Sequence, residues 1–441
     1  MDTICALSSG APPSGVAVIR LSGPAAGTCL ETMAGPLPAP RRAVLRKIRN
    51  SAGGDILDDA LVLWLPAPAS FTGEDCAEIQ CHGSRAVIQA VVDSLTERSG
   101  VRLAEPGEFS RRAFDNGRLD LTELEGLADL IQAETEAQRR QAVQLAQGHM
   151  RRSLDTWRDR LINLRAEVEA RLDFSDEDDV DLDLPADFFG RLAVIRNEVG
   201  DALETFGVAE RVRRGLRVAI MGAPNAGKST LLNRIARREV AIVTEEAGTT
   251  RDVLEVPLDL DGYPVVLFDT AGLRETDNIV EREGVRRARL TAEQSDLVLW
   301  LRDLSAGDDA SEPIDSVPVW TVWSKADLTS VEAVVANPDA GDLSVSAVTG
   351  AGLDVLLERL RAAAAEAMSS DAAWLVTRSR QADALNIICA GLDAALGGKD
   401  RPLEMIAEDL RGATDGLGRV TGRIDVEHVL DRLFGEFCIG K

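Results

Sequence analysis

The stretch Gly222-Ala223-Pro224-Asn225-Ala226-Gly227-Lys228-Ser229 decides the fold of the chain around it. It follows a mostly apolar run at 216–221 and precedes a helical pattern at 230–237. Strand, glycine-rich loop and helix in this order, with the spacing G-x-x-x-x-G-K-S, are typical of a loop whose backbone N–H groups enclose phosphates. Lys228 would reach the β- and γ-phosphates, and Ser229 would bind Mg²⁺. The sequence therefore predicts a nucleoside triphosphate site, since a tight turn that is merely glycine-rich would not need this flanking pattern.

Composition restricts the classes of protein that this chain can belong to. It has 441 residues and a formal net charge of −24, so about two to four domains are expected and general binding to polyanions is disfavoured. Any contact with nucleic acid would have to be local or shared with a partner. The six cysteines form no C-x-x-C pair, which argues against a zinc site or a disulfide framework. Without a signal peptide or a run of about 18 apolar residues, we expect a cytoplasmic protein without membrane contact.

The N-terminal part of the chain, residues 1–118, mixes short strands with short helices. We predict strands at 16–21, 61–65 and 77–80 and an amphipathic helix at 84–97. This pattern indicates an α+β domain.

Helical periodicity then dominates residues 119–214 and returns at 371–441. Almost no Gly or Pro interrupts 121–173, which predicts two long helices that break near Gly148. The acidic run at 175–183 favours a solvated loop over a Ca²⁺ loop, because the required ligand spacing and glycine are missing. Further helical patterns cover 185–213, 378–396, 402–413 and 423–436, and we predict a glycine-rich turn at 412–418.

Residues 215–370 alternate strand and helix patterns, which predicts a parallel sheet. Strands are expected at 216–221, 265–268, 297–301, 317–322 and 343–345. Because helical segments flank this α/β unit on both sides, the simplest arrangement is one all-α domain into which the nucleotide-binding domain is inserted. The predicted fold is therefore multidomain: an N-terminal α+β domain, an all-α helical domain and an inserted α/β domain.

Two further motifs accompany the phosphate loop. Asp269-Thr270-Ala271-Gly272 follows a strand, where its carboxylate can approach Mg²⁺ and its glycine N–H can reach the γ-phosphate. Upstream, Gly248-Thr249-Thr250-Arg251-Asp252 places hydroxyls in a loop that could cap the metal. Each motif alone is weak, but the ordered set resembles the small-GTPase superfamily and implies a Ras-like P-loop domain.

The choice of base depends on Ser324-Lys325-Ala326-Asp327, which resembles the guanine motif N-K-x-D with Ser in place of Asn. The Asp327 carboxylate can accept from guanine N1–H and the exocyclic amine, a donor pair that adenine lacks. Ser346-Ala347 resembles the last guanine-contact loop. The sequence favours GTP over ATP. An ATP-driven motor is the alternative, which would be supported if Asp327→Asn failed to shift the preference away from GTP.

The residues that would activate water differ from those of Ras-like proteins. Leu273 and Arg274 follow Gly272 in place of the Gln that orients water in Ras-like proteins. Glu281 is a candidate general base acting through a water, although the sequence alone favours an exposed glutamate at a helix start. Asn225 could ligate a monovalent cation beside the phosphates.

The chain ends with Phe437-Cys438-Ile439-Gly440-Lys441. Such an ending is compatible with a frayed tail. It is equally compatible with a nucleophilic thiol at Cys438, because a nearby ammonium lowers the pKa of a cysteine.

Taken together, these motifs resemble those of the MnmE (TrmE) family of tRNA-modifying GTPases. The resemblance covers essentially the whole chain. It rests on the phosphate loop with its Asn225, the switch motifs at 248–252 and 269–274, the C-I-G-K ending, and three N-terminal stretches: Asp2-Thr3-Ile4, Phe71-Thr72-Gly73-Glu74-Asp75 and Pro106-Gly107-Glu108-Phe109.

The resemblance implies an N-terminal domain, residues 1–118, that dimerises and binds a tetrahydrofolate one-carbon donor. Arg20, Glu78, Arg118 and Lys441 match the family's folate contacts, with Arg118 standing where relatives can have Lys. The expected donor is 5,10-methylenetetrahydrofolate, with 5-formyltetrahydrofolate as an analogue. The expected boundaries are 119–214 and 371–441 for the helical domain and 215–370 for the GTPase domain.

In the GTPase domain the resemblance implies Mg²⁺ and K⁺ sites and a catalytic glutamate. Ser229 and Thr250 match the Mg²⁺ ligands. Glu281 matches the catalytic residue, which reverses the preference from the sequence alone. The positions around K⁺ are Asn225, Thr244, Glu246 and Thr249. The full expected GTP-binding set is Asn225, Ala226, Gly227, Lys228, Ser229, Thr230, Thr244, Glu245, Glu246, Ala247, Gly248, Thr249, Thr250, Asp269, Thr270, Ala271, Gly272, Ser324, Lys325, Asp327, Ser346 and Ala347.

The family works with the flavoprotein MnmG, in a heterotetramer, on certain tRNAs. The implied function is a GTP-driven role in placing a carboxymethylaminomethyl or aminomethyl group at C5 of the wobble uridine, U34. The alternative is a regulatory or ribosome-assembly GTPase that binds RNA without modifying it. Such a switch would need neither folate nor a C-terminal thiol.

Overall fold

Two six-stranded sheets organise the computed structural model of the chain. It describes residues 2–50, 54–173, 183–242, 254–269, 293–305, 317–328, 343–369, 375–397, 401–422, 427–436 and 440. The chain folds into two compact units. The first contains Met1–Ala128, Ala146–Ile162 and Arg411–Lys441, and the second contains Asp129–Leu145 and Asn163–Leu410. The four domain boundaries expected from the sequence remain a prediction.

The N-terminal sheet belongs to the first unit and has the order β3-β4-β5-β2-β1-β6. Its elements are β1 (Thr3–Leu7), β2 (Ser14–Ser22), α1 (Ala26–Ala34), β3 (Val44–Arg49), β4 (Ile56–Leu65), β5 (Cys76–Gly83), α2 (Arg85–Thr96), β6 (Val101–Leu103) and α3 (Glu108–Asp115). The three predicted strands lie within β2, β4 and β5, and the predicted helix is α2, capped by the Ser84 hydroxyl. Strands β1, β3 and β6 were not predicted.

One face of this sheet is apolar because side chains alternate along each strand. Along β2, Ala17, Ile19 and Leu21 are fully buried in a core that also contains residues of α1 and α2. Arg20 therefore points to the opposite face. That face also carries exposed apolar side chains, including Leu45 and its cross-strand neighbour Leu61.

The first helical segment contains α4 (Leu121–Gln132), α5 (Glu136–Ala146), α6 (His149–Asp173), α7 (Phe188–Glu204) and α8 (Phe206–Arg214). The predicted break near Gly148 is confirmed, and this residue has a left-handed φ of 73°. The prediction of only two helices over 121–173 was wrong, because another helix starts at Glu136. There Gln138 accepts from the Thr135 N–H, and the Thr135 hydroxyl accepts from the Gln138 N–H. This reciprocal capping box starts a new helix.

The second sheet has the order β12-β11-β10-β7-β9-β8 and is parallel except for β8. Its elements are β7 (Leu216–Gly222), α9 (Lys228–Ile235), β8 (Leu254–Leu260), β9 (Tyr263–Asp269), β10 (Leu297–Asp303), β11 (Val319–Ser324), a 3₁₀ turn (Ala326–Leu328), β12 (Leu343–Ser344) and α10 (Leu353–Ala367). The predicted parallel sheet is confirmed. The antiparallel edge strand β8 was not predicted.

The remaining helices are α11 (Ser379–Leu396), α12 (Leu403–Thr421) and α13 (Glu427–Glu436). The predicted glycine-rich turn at 412–418 was wrong, because α12 continues through it. Ile406, Leu410, Ala413, Leu417 and Val420 recur at helical spacing and are all buried. Burial of this stripe outweighs the helix-weakening effect of glycine, about 1 kcal/mol per residue.

Candidate functional site

The phosphate loop and the guanine motif lie at the same edge of the second sheet. Strands β7, β10, β11 and β12 run parallel, and the loops that follow β7 and β11 carry the two motifs. Ligands of open α/β sheets bind beyond the carboxyl ends of such strands. The fold thus brings together motifs about 100 residues apart in sequence.

The loop after β7 has a backbone that only particular residues tolerate. Gly222, Asn225 and Gly227 all have positive φ, at 143°, 63° and 91°. A Cβ at Gly222 would lie 2.2 Å from the Leu301 carbonyl oxygen of the neighbouring strand β10. The first glycine of the motif is therefore required by close backbone approach as well as by its dihedral angle.

Lys228 begins α9 and folds back over the loop that precedes it. Its ammonium donates to the carbonyl oxygens of Gly222 and Ala223, both at 2.9 Å. An ammonium held inside the loop, at the positive end of a helix, suits phosphate oxygens. Ser229 and Thr230 are exposed in the first helical turn, and Asn225 is exposed in the loop. These residues fit a nucleoside triphosphate.

The guanine motif is attached to the phosphate loop through Ser324. The side chain of this residue is buried, and its hydroxyl donates to the Ala226 carbonyl at 2.6 Å, with the Arg302 carbonyl 3.1 Å away. Ala226 itself is buried. The Ser that replaces the usual Asn therefore links the two loops.

Lys325 and Asp327 are each held by one partner. The Lys325 ammonium donates to Asp303 at 2.6 Å, and this bond, with a second from the Ser305 hydroxyl, lowers the pKa of Asp303 to about 2. The Asp327 carboxylate accepts from the buried Ser346 hydroxyl at 2.5 Å. Asp327 is exposed, so its carboxylate is accessible to a ligand. Ala347 is half-buried next to Ser346.

Several predicted residues lie outside the described part of the chain. For Asp269 the structure describes the backbone, which ends β9 and pairs with Ile220 and with Leu254. Those outside are Thr244, Glu245, Glu246, Ala247, Gly248, Thr249, Thr250, Thr270, Ala271, Gly272, Glu281, Cys438 and Lys441, together with most of the acidic run at 175–183. Among the residues that are described, no group of three or more His, Cys, Asp or Glu side chains could hold a metal ion.

In the first unit, two of the predicted folate residues form a cross-strand pair. Arg20 on β2 is opposite Glu78 on β5, and its guanidinium donates twice to one carboxylate oxygen, at 3.0 and 3.1 Å. The guanidinium also lies 5.5 Å from the centre of the Phe71 ring and 5.9 Å from that of Phe109. The two aromatic rings and the Glu78 carboxylate thus hold the planar Arg20 guanidinium in place.

Arg118 lies beside the loop that supplies Phe71. A Cβ at Gly73 would be 3.2 Å from Arg118 Cγ, and the Asn116 amide donates to the Thr72 carbonyl at 2.7 Å. Arg118 is exposed. The structure therefore places Arg20 and Arg118 against the same loop.

Gly440, near the C-terminus, packs against the end of β1. The Ser8 hydroxyl donates to the Gly440 carbonyl at 2.7 Å, and a Cβ at Gly440 would lie 2.1 Å from the Leu7 carbonyl oxygen. Leu7 is close to Arg20 along the ladder formed by β1 and β2, because Ala6 is the partner of Arg20 and Leu7 that of Ile19. Gly440, which precedes the predicted folate contact Lys441, is thus held near β2, the strand that carries Arg20.

Sequence reasoning missed Asp303, Phe71, Phe109 and Ser8. Asp303 ends an apolar strand between the two motif-bearing strands, so the carboxyl-end rule could have indicated it. Phe71 and Phe109 stand inside stretches that carried the family resemblance, but nothing local pairs them with Arg20. No local signal identifies Ser8, because its partner is 432 residues away.

Comparison with known proteins matches the chain to one family over its whole length. The family model described as the MnmE helical domain matches residues 121–438, and that of the GTP-binding protein TrmE N-terminus matches residues 3–118. The chain is 51% identical over 442 residues to the tRNA modification GTPase MnmE of Sinorhizobium medicae, covering 100% of this chain and 99% of that protein. It is 50% identical over 441 residues to the protein of the same description from Rhodopseudomonas palustris, with the same coverage.

Among solved structures, the G domain of the T. maritima FeoB iron transporter aligns with 33% of this chain and 96% of its own, at 22% identity and a TM-score of 0.23. That score is too low to support an argument. The family assignment rests instead on full-length identity of about half with curated relatives and on family models that match both ends of the chain. On these grounds the chain belongs to the MnmE family of tRNA modification GTPases.

Proposed function

We propose that this chain hydrolyses GTP at the loop between β7 and α9 and uses that cycle in the modification of tRNA. The single observation that carries the GTP site is the Lys228 ammonium, which lies inside a positive-φ loop at a helix N-terminus. Asp327, held by Ser346 on the same sheet edge, supplies a carboxylate for the guanine donors. A guanosine triphosphate site requires both a cation for the phosphates and an acceptor for the guanine donors.

In this proposal the chain's own residues bind and orient the nucleotide. Lys228 and the backbone N–H groups at the start of α9 would neutralise the phosphates, and Ser229 would hold Mg²⁺ together with Thr250. The metal would reduce the negative charge on the transferred phosphoryl group. Glu281 would orient water as general base, and the remaining expected contacts are those named from the sequence.

We propose a K⁺ site at Asn225, because its amide is exposed in the loop and its backbone is already left-handed. We expect GTP hydrolysis to be at least about tenfold faster in K⁺ than in Na⁺ buffer, corresponding to about 1.4 kcal/mol of barrier. Asn225→Gly keeps the positive φ but removes the amide oxygen, so we expect it to lose the K⁺ stimulation. Rates measured by phosphate release would contradict the site if Asn225→Gly still responded to K⁺.

The finer reaction proposal is modification of the wobble uridine U34 with a 5,10-methylenetetrahydrofolate donor bound by Arg20, Glu78, Arg118 and Lys441. A folate tail carries carboxylates, which suit the Arg20 guanidinium beside Phe71 and Phe109. MnmG is the proposed flavoprotein partner, in the cytoplasm, where GTP and tRNA are available. No described helix has the length and apolarity that a membrane span requires.

Nucleoside analysis of tRNA from cells that lack this protein tests the reaction. We expect carboxymethylaminomethyl- and aminomethyl-uridine at position 34 to disappear and to return when the gene is restored. Unchanged modified nucleosides would favour the alternative of an RNA-binding assembly switch. Titration of the full chain with 5-formyltetrahydrofolate separates the same alternatives, because such a switch needs no folate.

We propose that the chain dimerises through the open face of its N-terminal sheet. Leu45 and Leu61 are cross-strand neighbours on that face and are 65% and 41% exposed. We expect Leu61→Asp to raise the dimer dissociation constant at least about tenfold, because it would bury an unpaired charge. Val194→Asp, at a 51% exposed position of α7, is the control. Sedimentation that shows an unchanged dimer for Leu61→Asp would exclude this face.

A further inference from the structure

Ser324 uses its hydroxyl within the protein. It is 5% exposed, and the hydroxyl is 2.6 Å from the carbonyl oxygen of Ala226 and 3.1 Å from that of Arg302. A carbonyl can only accept, so the hydroxyl must be the donor in either bond.

A serine hydroxyl has a single proton to donate. Once that proton points to the Ala226 or the Arg302 carbonyl, Ser324 has only acceptor lone pairs left. Guanine presents acceptors, N7 and O6, on one edge, and donors, N1–H and the 2-amino group, on the other side of the ring. Ser324 therefore has nothing to offer the N7 atom, whereas the Asp327 carboxylate remains an acceptor for the donor edge.

We infer that this chain reads guanine through Asp327 and is indifferent to N7, and that Ser324 is a positioning residue that clamps the phosphate loop to β11. This inference rests on the proposed GTP site. We therefore expect the site to bind guanine nucleotides altered at position 7 as well. These include 7-deazaguanine nucleotides, in which a C–H group replaces N7.

The clamp joins residues 98 positions apart. Ala226 lies between Asn225 and Gly227, both with positive φ, so its carbonyl direction is tied to the shape of the loop. Lys325, the residue after Ser324, also has a positive φ of 59°, and its ammonium is held by Asp303. A hydroxyl at 324 therefore sets how the phosphate loop and the base-reading loop face each other.

Equilibrium titration of the full chain with GDP, 7-deaza-GDP and IDP, which lacks the 2-amino group, tests the base reading. We expect 7-deaza-GDP to bind within about twofold of GDP and IDP to bind at least about tenfold more weakly, because the Asp327 carboxylate loses one of its two guanine donors. If 7-deaza-GDP binds at least about tenfold more weakly than GDP, the inference is overturned. If GDP itself does not bind, the proposed GTP site fails, and this outcome is distinct from a loss of affinity confined to 7-deaza-GDP.

Variants at position 324 test the clamp. Ser324→Ala should weaken GDP and 7-deaza-GDP in parallel, by about five- to tenfold, since one buried carbonyl loses its donor. Ser324→Thr retains the hydroxyl and should restore both affinities. If Ser324 only stabilised the fold, Ser324→Ala would lower the melting temperature and leave the nucleotide affinities of the folded protein unchanged. Unchanged affinities in folded Ser324→Ala, or a change in the GDP to 7-deaza-GDP ratio, would overturn the inference.

Discussion

Replacing Gly440 by Ala is expected to reduce tRNA modification at least about 100-fold while GTP hydrolysis continues at the wild-type rate. The reason is steric. Gly440 has a φ of 101°, and a Cβ there would lie 2.1 Å from the carbonyl oxygen of Leu7 and 2.8 Å from its carbonyl carbon. Leu7 ends β1, an internal strand of the N-terminal sheet. A shift of its backbone would therefore disrupt the pairing of β1 with the neighbouring strands. Gly440 would leave this position and displace the proposed folate contact Lys441 that follows it, and misplacement of a substrate-positioning group by about 1 Å can cost 100-fold in rate.

Gly435→Ala is the matched control, because no heavy atom lies within 4 Å of a Cβ at that position. It lies within α13, where Ala favours the helix more than Gly does. Modified nucleosides should be measured with the proposed partner MnmG and the proposed folate donor present, alongside phosphate release for both variants. Modification by Gly440→Ala at the wild-type rate would show that the packing of Gly440 against Leu7 has no part in the reaction. Loss of GTP hydrolysis as well would indicate general misfolding.

Replacing Gly222 by Ala is expected to weaken GTP binding at least about 100-fold. Gly222 is the partner of Leu301 in the ladder between β7 and β10, and its φ is 143°. A Cβ would lie 2.2 Å from the Leu301 carbonyl oxygen, so the added methyl must push apart two central strands of the sheet or distort the loop. The Lys228 ammonium, which contacts the Gly222 carbonyl, would then lose its present position.

Gly190→Ala and Gly207→Ala, in α7 and α8, are the matched controls, because a Cβ at either position meets no atom within 4 Å. Lys228→Ala should also weaken GTP binding, because it removes the ammonium without introducing a steric clash. Equilibrium binding of GTP and circular dichroism should be measured together. Gly222→Ala that binds GTP with wild-type affinity would contradict the close approach between β7 and β10.

Local patterns predicted much of this fold. The apolar run, the glycine-rich loop and the following helix produced β7, the phosphate loop and α9, because their structure depends on neighbouring residues. The break at Gly148 was predicted for the same reason. Where local preference opposed long-range burial, the prediction failed: α12 continues through its glycines because one face of the helix is buried. The start of α5 could have been predicted, since Thr135 and Gln138 have capping-box spacing.

The sequence by itself determined the residue types of the predicted site: a phosphate loop with its lysine, an aspartate expected to read guanine, and a C-terminal cysteine and lysine. Only the tertiary structure decided what these residues contact. Ser324 donates to a carbonyl 98 positions away, and Ser8 to one 432 positions away. Such pairs depend on which strand ends meet at one sheet edge and on where Gly440 lies against β1. Helical and strand periodicities describe only neighbours along the chain, so they contain no information about these contacts.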